Sequence, residues 1–151
     1  MNPLSIIIAP FDVYLAPEGT AFPDPDTTPS APWVLFGSNG KRSYSEDGVT
    51  VNHEQSIYRH RTAGSTAPVK AARTDEDHTV EFTVEDLTLE TYAKVLNNQV
   101  VTDVPAASGT PGERSIPLRQ GPDVATFALI ARGPSPYLQG GYAQFELERV
   151  F

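Results

Sequence analysis

The sequence predicts a mainly β protein: an antiparallel β-sandwich or barrel with one flanking α-helix and a long hairpin loop. Three observations carry that expectation. The chain has 151 residues, enough for a single domain, 1–151, with its own core. Fourteen prolines and eleven glycines make about one residue in six a turn-former, which favours many short strands over long helices. Apolar residues alternate with period two in several segments, and only one segment repeats at helical spacing.

The elements follow in order. Residues 1–10 hold a short apolar run without a positive leader or a small-residue cleavage site. That run is too short to span a bilayer, and an N-terminal arm or first strand is expected there. Residues 11–15 read as a strand. Residues 16–32 carry Pro17, Pro23, Pro25, Pro29 and Pro32 and read as a surface loop, because proline lacks the ladder donor and fixes φ. Residues 33–36 form a short apolar strand ending at Gly37, and Ser38-Asn39-Gly40 is a turn signal.

Val49 and Val51 alternate with Thr50 and Asn52, which predicts a strand with one apolar face. A polar strand over 55–62 follows, then a tip of small residues at 63–68 and an extended stretch at 69–74. Together, 53–73 is expected to be a long hairpin loop. Val80, Phe82 and Val84 share one face of the next strand, with Glu81, Thr83 and Glu85 on the other. A helix is expected over 87–97, with Asp86 or Thr88 as N-cap and Glu90 in its first turn. Leu89, Tyr92, Ala93 and Leu96 make its apolar stripe, and Asn97-Asn98 suits its end. A loop at 106–112 and strands at 115–119, 124–131 and 142–150 complete the chain. In the last strand, Tyr142, Gln144, Glu146 and Glu148 oppose Ala143, Phe145, Leu147 and Arg149. No internal repeat is present.

Catalytic and cofactor patterns are weak. There is no cysteine, which removes disulfide frameworks and thiolate metal sites. His53, His60 and His78 show neither an HExxH pattern nor a pair at helical spacing, so surface histidines are the expected reading. Glu81 and Glu85 would lie roughly 13 Å apart on one strand face, beyond the ~10 Å limit of both glycosidase geometries. No GxSxG, phosphate-binding glycine loop or dinucleotide fingerprint occurs. The sequence therefore predicts no enzyme activity, no cofactor and no metal.

The charge layout says more. A net charge of −8 disfavours stable duplex binding, which calls for a basic face. Lys41, Arg42, Arg59, Arg61, Lys70 and Arg73 hold six of the eleven basic residues. Asp75, Glu76, Asp77, Glu81, Glu85, Asp86 and Glu90 follow with no Lys or Arg among them. The plain reading is a solvated surface whose local ion pairs are worth ~0–1 kcal/mol each. The functional reading is a head-to-tail interface, in which the basic patch of one subunit meets the acidic patch of the next. A soluble ligand- or carbohydrate-binding β-sandwich is the rival class, with Trp33, Tyr14, Tyr44 and Tyr58 as candidate aromatics.

Several runs are distinctive in their order and spacing. They are Glu46-Asp47-Gly48-Val49-Thr50-Val51 with His53-Glu54-Gln55, Gly64-Ser65-Thr66-Ala67-Pro68-Val69-Lys70, Arg73-Thr74-Asp75-Glu76-Asp77 and Asp86-Leu87-Thr88-Leu89-Glu90-Thr91-Tyr92. Tyr14-Leu15-Ala16-Pro17-Glu18-Gly19-Thr20 and Arg132-Gly133-Pro134-Ser135-Pro136-Tyr137 extend the set over most of the chain. Together these runs resemble the tail tube proteins of long-tailed, noncontractile bacteriophages and related gene transfer agents. The resemblance implies a structural virion protein of the tail, assembled in the host bacterial cytoplasm. Six copies would form a ring, and stacked rings a hollow tube that conducts DNA without sequence-specific binding. The implied partners are further copies of the chain and the tail terminator, distal tail and tape measure proteins, with no membrane. The inter-subunit loop would hold Arg59, Arg61, Gly64, Ser65, Thr66, Ala67, Pro68, Lys70 and Arg73. Asp75, Glu76, Asp77, Glu81 and Glu85 would face a neighbour or the channel.

Overall fold

The alternation at the start of the chain builds the first strand, Asp12–Pro17 (β1), and the short apolar run after the proline-rich segment builds Val34–Leu35 (β2). The long hairpin is Tyr44–His60 (β3) and Lys70–Val84 (β4). Leu89–Val95 is the helix α1, and Thr102–Val104 (β5) pairs with Glu113–Ser115 (β6). Phe127–Pro134 (β7) and Tyr142–Val150 (β8) complete the order. This is a computed structural model describing residues 11–37, 44–85, 88–135 and 140–151. The expected N-terminal arm, the turn at 38–40, Lys41, Arg42, Asp86, Leu87, Pro136 and Tyr137 lie outside the described residues.

The protein is mainly β, with one helix and antiparallel sheets among the described residues. One sheet has four strands in the order β2-β1-β7-β8, and the two hairpins form separate two-stranded ribbons. No closed barrel forms among these strands, so of the two expected architectures the layered one describes the chain. No helix among the described residues is long and apolar enough to cross a membrane.

Both faces of the central sheet are covered. Val13, Leu129 and Ala131 face the base of the long hairpin, where Val49, Val51, Val80, Phe82 and Val84 pack against them together with Phe36. This is the face that the period-two pattern assigns to both hairpin strands. Ala16, Ala128 and Ile130 face the other way, against Trp33 and Phe22. Ile130 and Val13 are fully buried, each worth ~1.5–3 kcal/mol of transfer free energy. β7 is thus buried on both sides, which explains its nearly unbroken apolar run.

The proline-rich segment has more structure than expected. Ala16 and Pro17 belong to β1, and the remainder folds over the second face of the sheet. The Trp33 indole N–H donates to the Ala21 carbonyl at 3.1 Å. Buried Arg132 reaches into the segment, donating to the Thr27 carbonyl at 2.6 Å and to the Pro25 carbonyl, with its guanidinium 4.3 Å from the Tyr142 ring centre. The Gln144 amide donates to the Pro23 carbonyl at 2.7 Å.

Three boundaries and one alternation differ from expectation for local reasons. The strand expected at 115–119 pairs only over Glu113–Ser115, because Pro117 has no donor to continue it. The strand expected at 124–131 begins at Phe127, since the Asn97 side chain takes up the Asp123 carbonyl, the Gln120 carbonyl and the Ala125 N–H. The alternation expected through 142–150 breaks near the end of β8. Leu147 pairs with Leu129 but Val150 pairs with Phe127, so a bulge brings Val150 onto the core face with Leu147. The helix spans Leu89–Val95 within the expected 87–97, with the Thr88 hydroxyl accepting from the Thr91 N–H at 3.3 Å. Asn97 and Asn98 follow it with φ of 60° and 54°, the left-handed conformation that asparagine tolerates.

Candidate assembly interface

β3 is one continuous strand of 17 residues, where the sequence suggests a strand, a break and a second strand. The expected 53–73 loop is therefore mostly ladder, paired out to His60 against Lys70, and only 61–69 form the tip. At the base, the ladder jumps from Tyr44 paired with Val84 to Val49 paired with Phe82. The extra residues there are accommodated by Gly48 at φ 72°, a conformation that strains other residues.

Only the base of the hairpin touches the sheet. From His53 to Thr79 every residue is exposed. The arm beyond Asn52 runs eight residues along β3, or about 27 Å at ~3.4 Å per residue. An isolated two-stranded ribbon is marginally stable in water. This one carries exposed Ile57, Tyr58 and Val69 near its far end. The tip is ordered by its own bonds. The Val69 N–H donates to the His60 carbonyl at 2.9 Å, the Ser65 hydroxyl to the Ala67 carbonyl at 2.7 Å and the Arg61 guanidinium to the Thr66 carbonyl at 3.3 Å. Gly64 turns the chain at φ 83°.

Antiparallel register sorts the charges along the arm. Two blocks consecutive in sequence become two zones along its length, because the hairpin folds acidic 75–81 back beside Glu54 and basic 70 beside 59–60. Arg59, Arg61 and Lys70 lie at or near the tip, together with Ser65, Thr66, Ala67 and Pro68. The stem is acidic on the face turned away from the core. Glu54 stands directly opposite Asp77, Ser56 opposite Asp75 and Thr50 opposite Glu81. Like charges directly opposite each other oppose pairing. Among the described residues, Glu54 and Asp77 have no cation within ion-pair distance. Glu81 accepts from the Asn52 amide at 3.4 Å, and Glu85 lies exposed just past the end of β4.

The other face of the stem continues outward from the core valines. It holds His53, Gln55, Ile57 and Arg59 on β3, and His78, Glu76, Arg73 and Ala71 on β4, with a bulge between Ser56 and Ile57. Two of the expected interface residues are spent within the chain. Arg73 donates to Glu76 Oε2 at 3.0 Å, while Glu76 Oε1 lies 2.9 Å from His53 Nε2. Partial desolvation works against the Glu76 carboxylate, but the Arg73 charge and the His53 and Arg73 hydrogen bonds outweigh it and hold its pKa below the usual value. The His53 and His78 rings stack with centres 4.3 Å apart and planes 3° from parallel. Sequence reasoning missed this pair, since residues 25 apart meet only once the register is known.

The aromatic residues considered for ligand binding do not converge. Trp33 is buried against one face of the sheet, with Tyr14 beside it. Burial, then the Asp12 charge, raises the Tyr14 pKa. Tyr44 packs on the opposite face and Tyr58 stands exposed on the arm. The chain matches no family model, no curated protein and no solved structure.

Proposed function

We propose that this is a structural protein that works by self-assembly, each copy laying its hairpin arm on the next. The observation that carries the reading is the arm itself. It extends about 27 Å from the core with no residue covered from 53 to 79, apolar side chains near a basic tip, and a stem face on which Glu54 and Asp77 have no cation within ion-pair distance among the described residues. A tip docked on a neighbour's stem would bury Ile57, Tyr58 and Val69 and bring Arg59, Arg61 and Lys70 to carboxylates such as Glu54, Asp75 and Asp77. Contacts of this kind are heterologous, so they close into rings or run on as filaments.

The particular assembly we propose is the tail tube of a long-tailed bacteriophage or a related particle, on the sequence resemblance together with this arm. Six copies at −8 each give −48 formal charges, which would repel the phosphate backbone and let DNA slide. The resemblance implies four strands per copy around the channel, and 24 strands at ~4.8 Å would give a circumference of at least about 115 Å and a backbone diameter of at least about 37 Å. Duplex DNA passes such an opening. Glu81 shares its surface with Glu54 and Asp77, so one acidic face serves either as lumen or as docking ground.

Negative-stain microscopy of the purified protein tests the class: rings or tubes are expected, and dispersed particles at high concentration would overturn it. Deleting 64–68 removes the tip but no ladder residue. A folded single chain that makes no tubes is expected, and tubes of normal length would refute the docking role. A tube lumen lined mainly by Lys and Arg would refute the DNA-sliding argument.

A further inference from the structure

We infer that the root of the arm is a divalent transition-metal site formed by His53, Glu76 and His78. One imidazole comes from β3, and a carboxylate and the second imidazole come from β4. Their donor atoms lie within 4.8 Å of one another. In a tetrahedral zinc site with ~2.0–2.1 Å bonds, donors lie ~3.3 Å apart. The stacked His53 and His78 rings do not aim both in-plane lone pairs at one point, so binding turns the rings out of their stack. Exposed side chains change rotamer within nanoseconds.

The register makes the cluster possible. His53 and His78 are directly opposite, and Glu76 is two residues from His78 on the same face. Two imidazoles and one carboxylate suit zinc, copper or nickel rather than calcium or magnesium, which take oxygen ligands. Among the described residues, no hydrogen bond occupies a His78 ring nitrogen, so its donor is available. Glu76 Oε1 already points at His53 Nε2, and a cation would take the place of the proton now shared there. Arg73 holds the other carboxylate oxygen and orients it, as outer partners of metal ligands do. A fourth position is open to water or to a group from another molecule.

The chemical effect is a cross-strand clamp. A cation held by both strands ties the ribbon together where it leaves the core, at the start of the segment that is exposed on both strands. Metal that binds the paired strands and not the separated ones stabilises the pairing. The inference concerns a single chain and does not rest on the assembly reading.

The test is calorimetric titration of the intact protein with zinc chloride, with cobalt absorption as a second readout. One zinc per chain is expected, with cobalt bands characteristic of mixed nitrogen and oxygen ligation. His78→Ala and His53→Ala each should weaken binding by at least ~10–100-fold, the cost of losing merely an outer partner being of that size. His60→Ala, at the far end of the arm on the other face, should leave it unchanged. The side-chain nitrogen resonances of His53 and His78 should shift on saturation with zinc. The inference is overturned if zinc does not bind, or if binding survives the double substitution His53→Ala/His78→Ala. It is equally overturned if binding is lost in Glu54→Gln/Asp77→Asn, because the cation would then sit on the acidic face.

Discussion

Phe82→Ala should detach the long hairpin from the body of the protein. Phe82 lies half-buried where the hairpin meets the sheet, and its ring packs 5.4 Å from that of Phe36 at 79° and 5.4 Å from that of Tyr44 at 60°. Neither neighbour is free to fill the gap. Phe36 is buried, and the Tyr44 hydroxyl is bound, donating to the Phe36 carbonyl and accepting from the Val13 N–H at 3.1 Å. Burying half a phenylalanine contributes ~0.75–1.5 kcal/mol, half of the ~1.5–3 for full burial. Two aromatic pairs add ~0.5–1.5 each. The expected loss is about 3 kcal/mol. With a urea slope of ~2 kcal/mol/M, the unfolding midpoint should fall by about 1.5 M. The assay is urea unfolding followed by tryptophan fluorescence and far-UV dichroism, under conditions where sedimentation shows a single chain. A midpoint shift below about 0.3 M would refute the packing of the hairpin base on the sheet, since a surface substitution would do as much.

Two further expectations concern stability. Asn97→Ala should cost about 2–3 kcal/mol, because it strains a residue at φ 60° and frees the Gln120 and Asp123 carbonyls and the Ala125 N–H. Asn97→Gly should recover about 1 kcal/mol by relieving the backbone alone, and equal losses in the two variants would show that the strain is negligible. Acid should also destabilise the fold. The Thr126 hydroxyl, then Arg149, depress the Glu18 pKa, and Arg114 depresses that of Glu90, as Glu76 is depressed on the arm. A folded-state pKa below that of the unfolded chain contributes stability that is present above ~4.3 and lost as pH falls through the folded value. Urea midpoints should therefore drop below pH ~4, less steeply in Glu18→Gln. Parallel curves for the two proteins would contradict this role for Glu18.

Much of this was legible from residue order. The alternation of Val49, Val51, Val80, Phe82 and Val84 identified the hairpin's inward face, and Thr88 with Asn97 bracketed the helix. Those signals are local: a period of two or 3.6, a capping hydroxyl, a residue that tolerates positive φ. The bulge in β8 was not legible, because Glu148-Arg149 reads as two more steps of the same alternation and only the partner strand reveals the extra residue. The cover that the proline-rich segment gives the sheet was also hidden, since Arg132 meets the carbonyls of Pro25 and Thr27 across more than a hundred residues.

The sequence by itself determined the class of fold, the inward faces of the strands and the presence of one basic and one acidic block. Tertiary structure decided what those blocks do. Antiparallel pairing set Glu54 against Asp77, Arg73 beside Glu76 and His53 against His78, contacts that depend on register and not on spacing. It also left the arm uncovered along its length, because residues beyond Asn52 and Val80 have no apolar face wide enough to fold back onto the sheet.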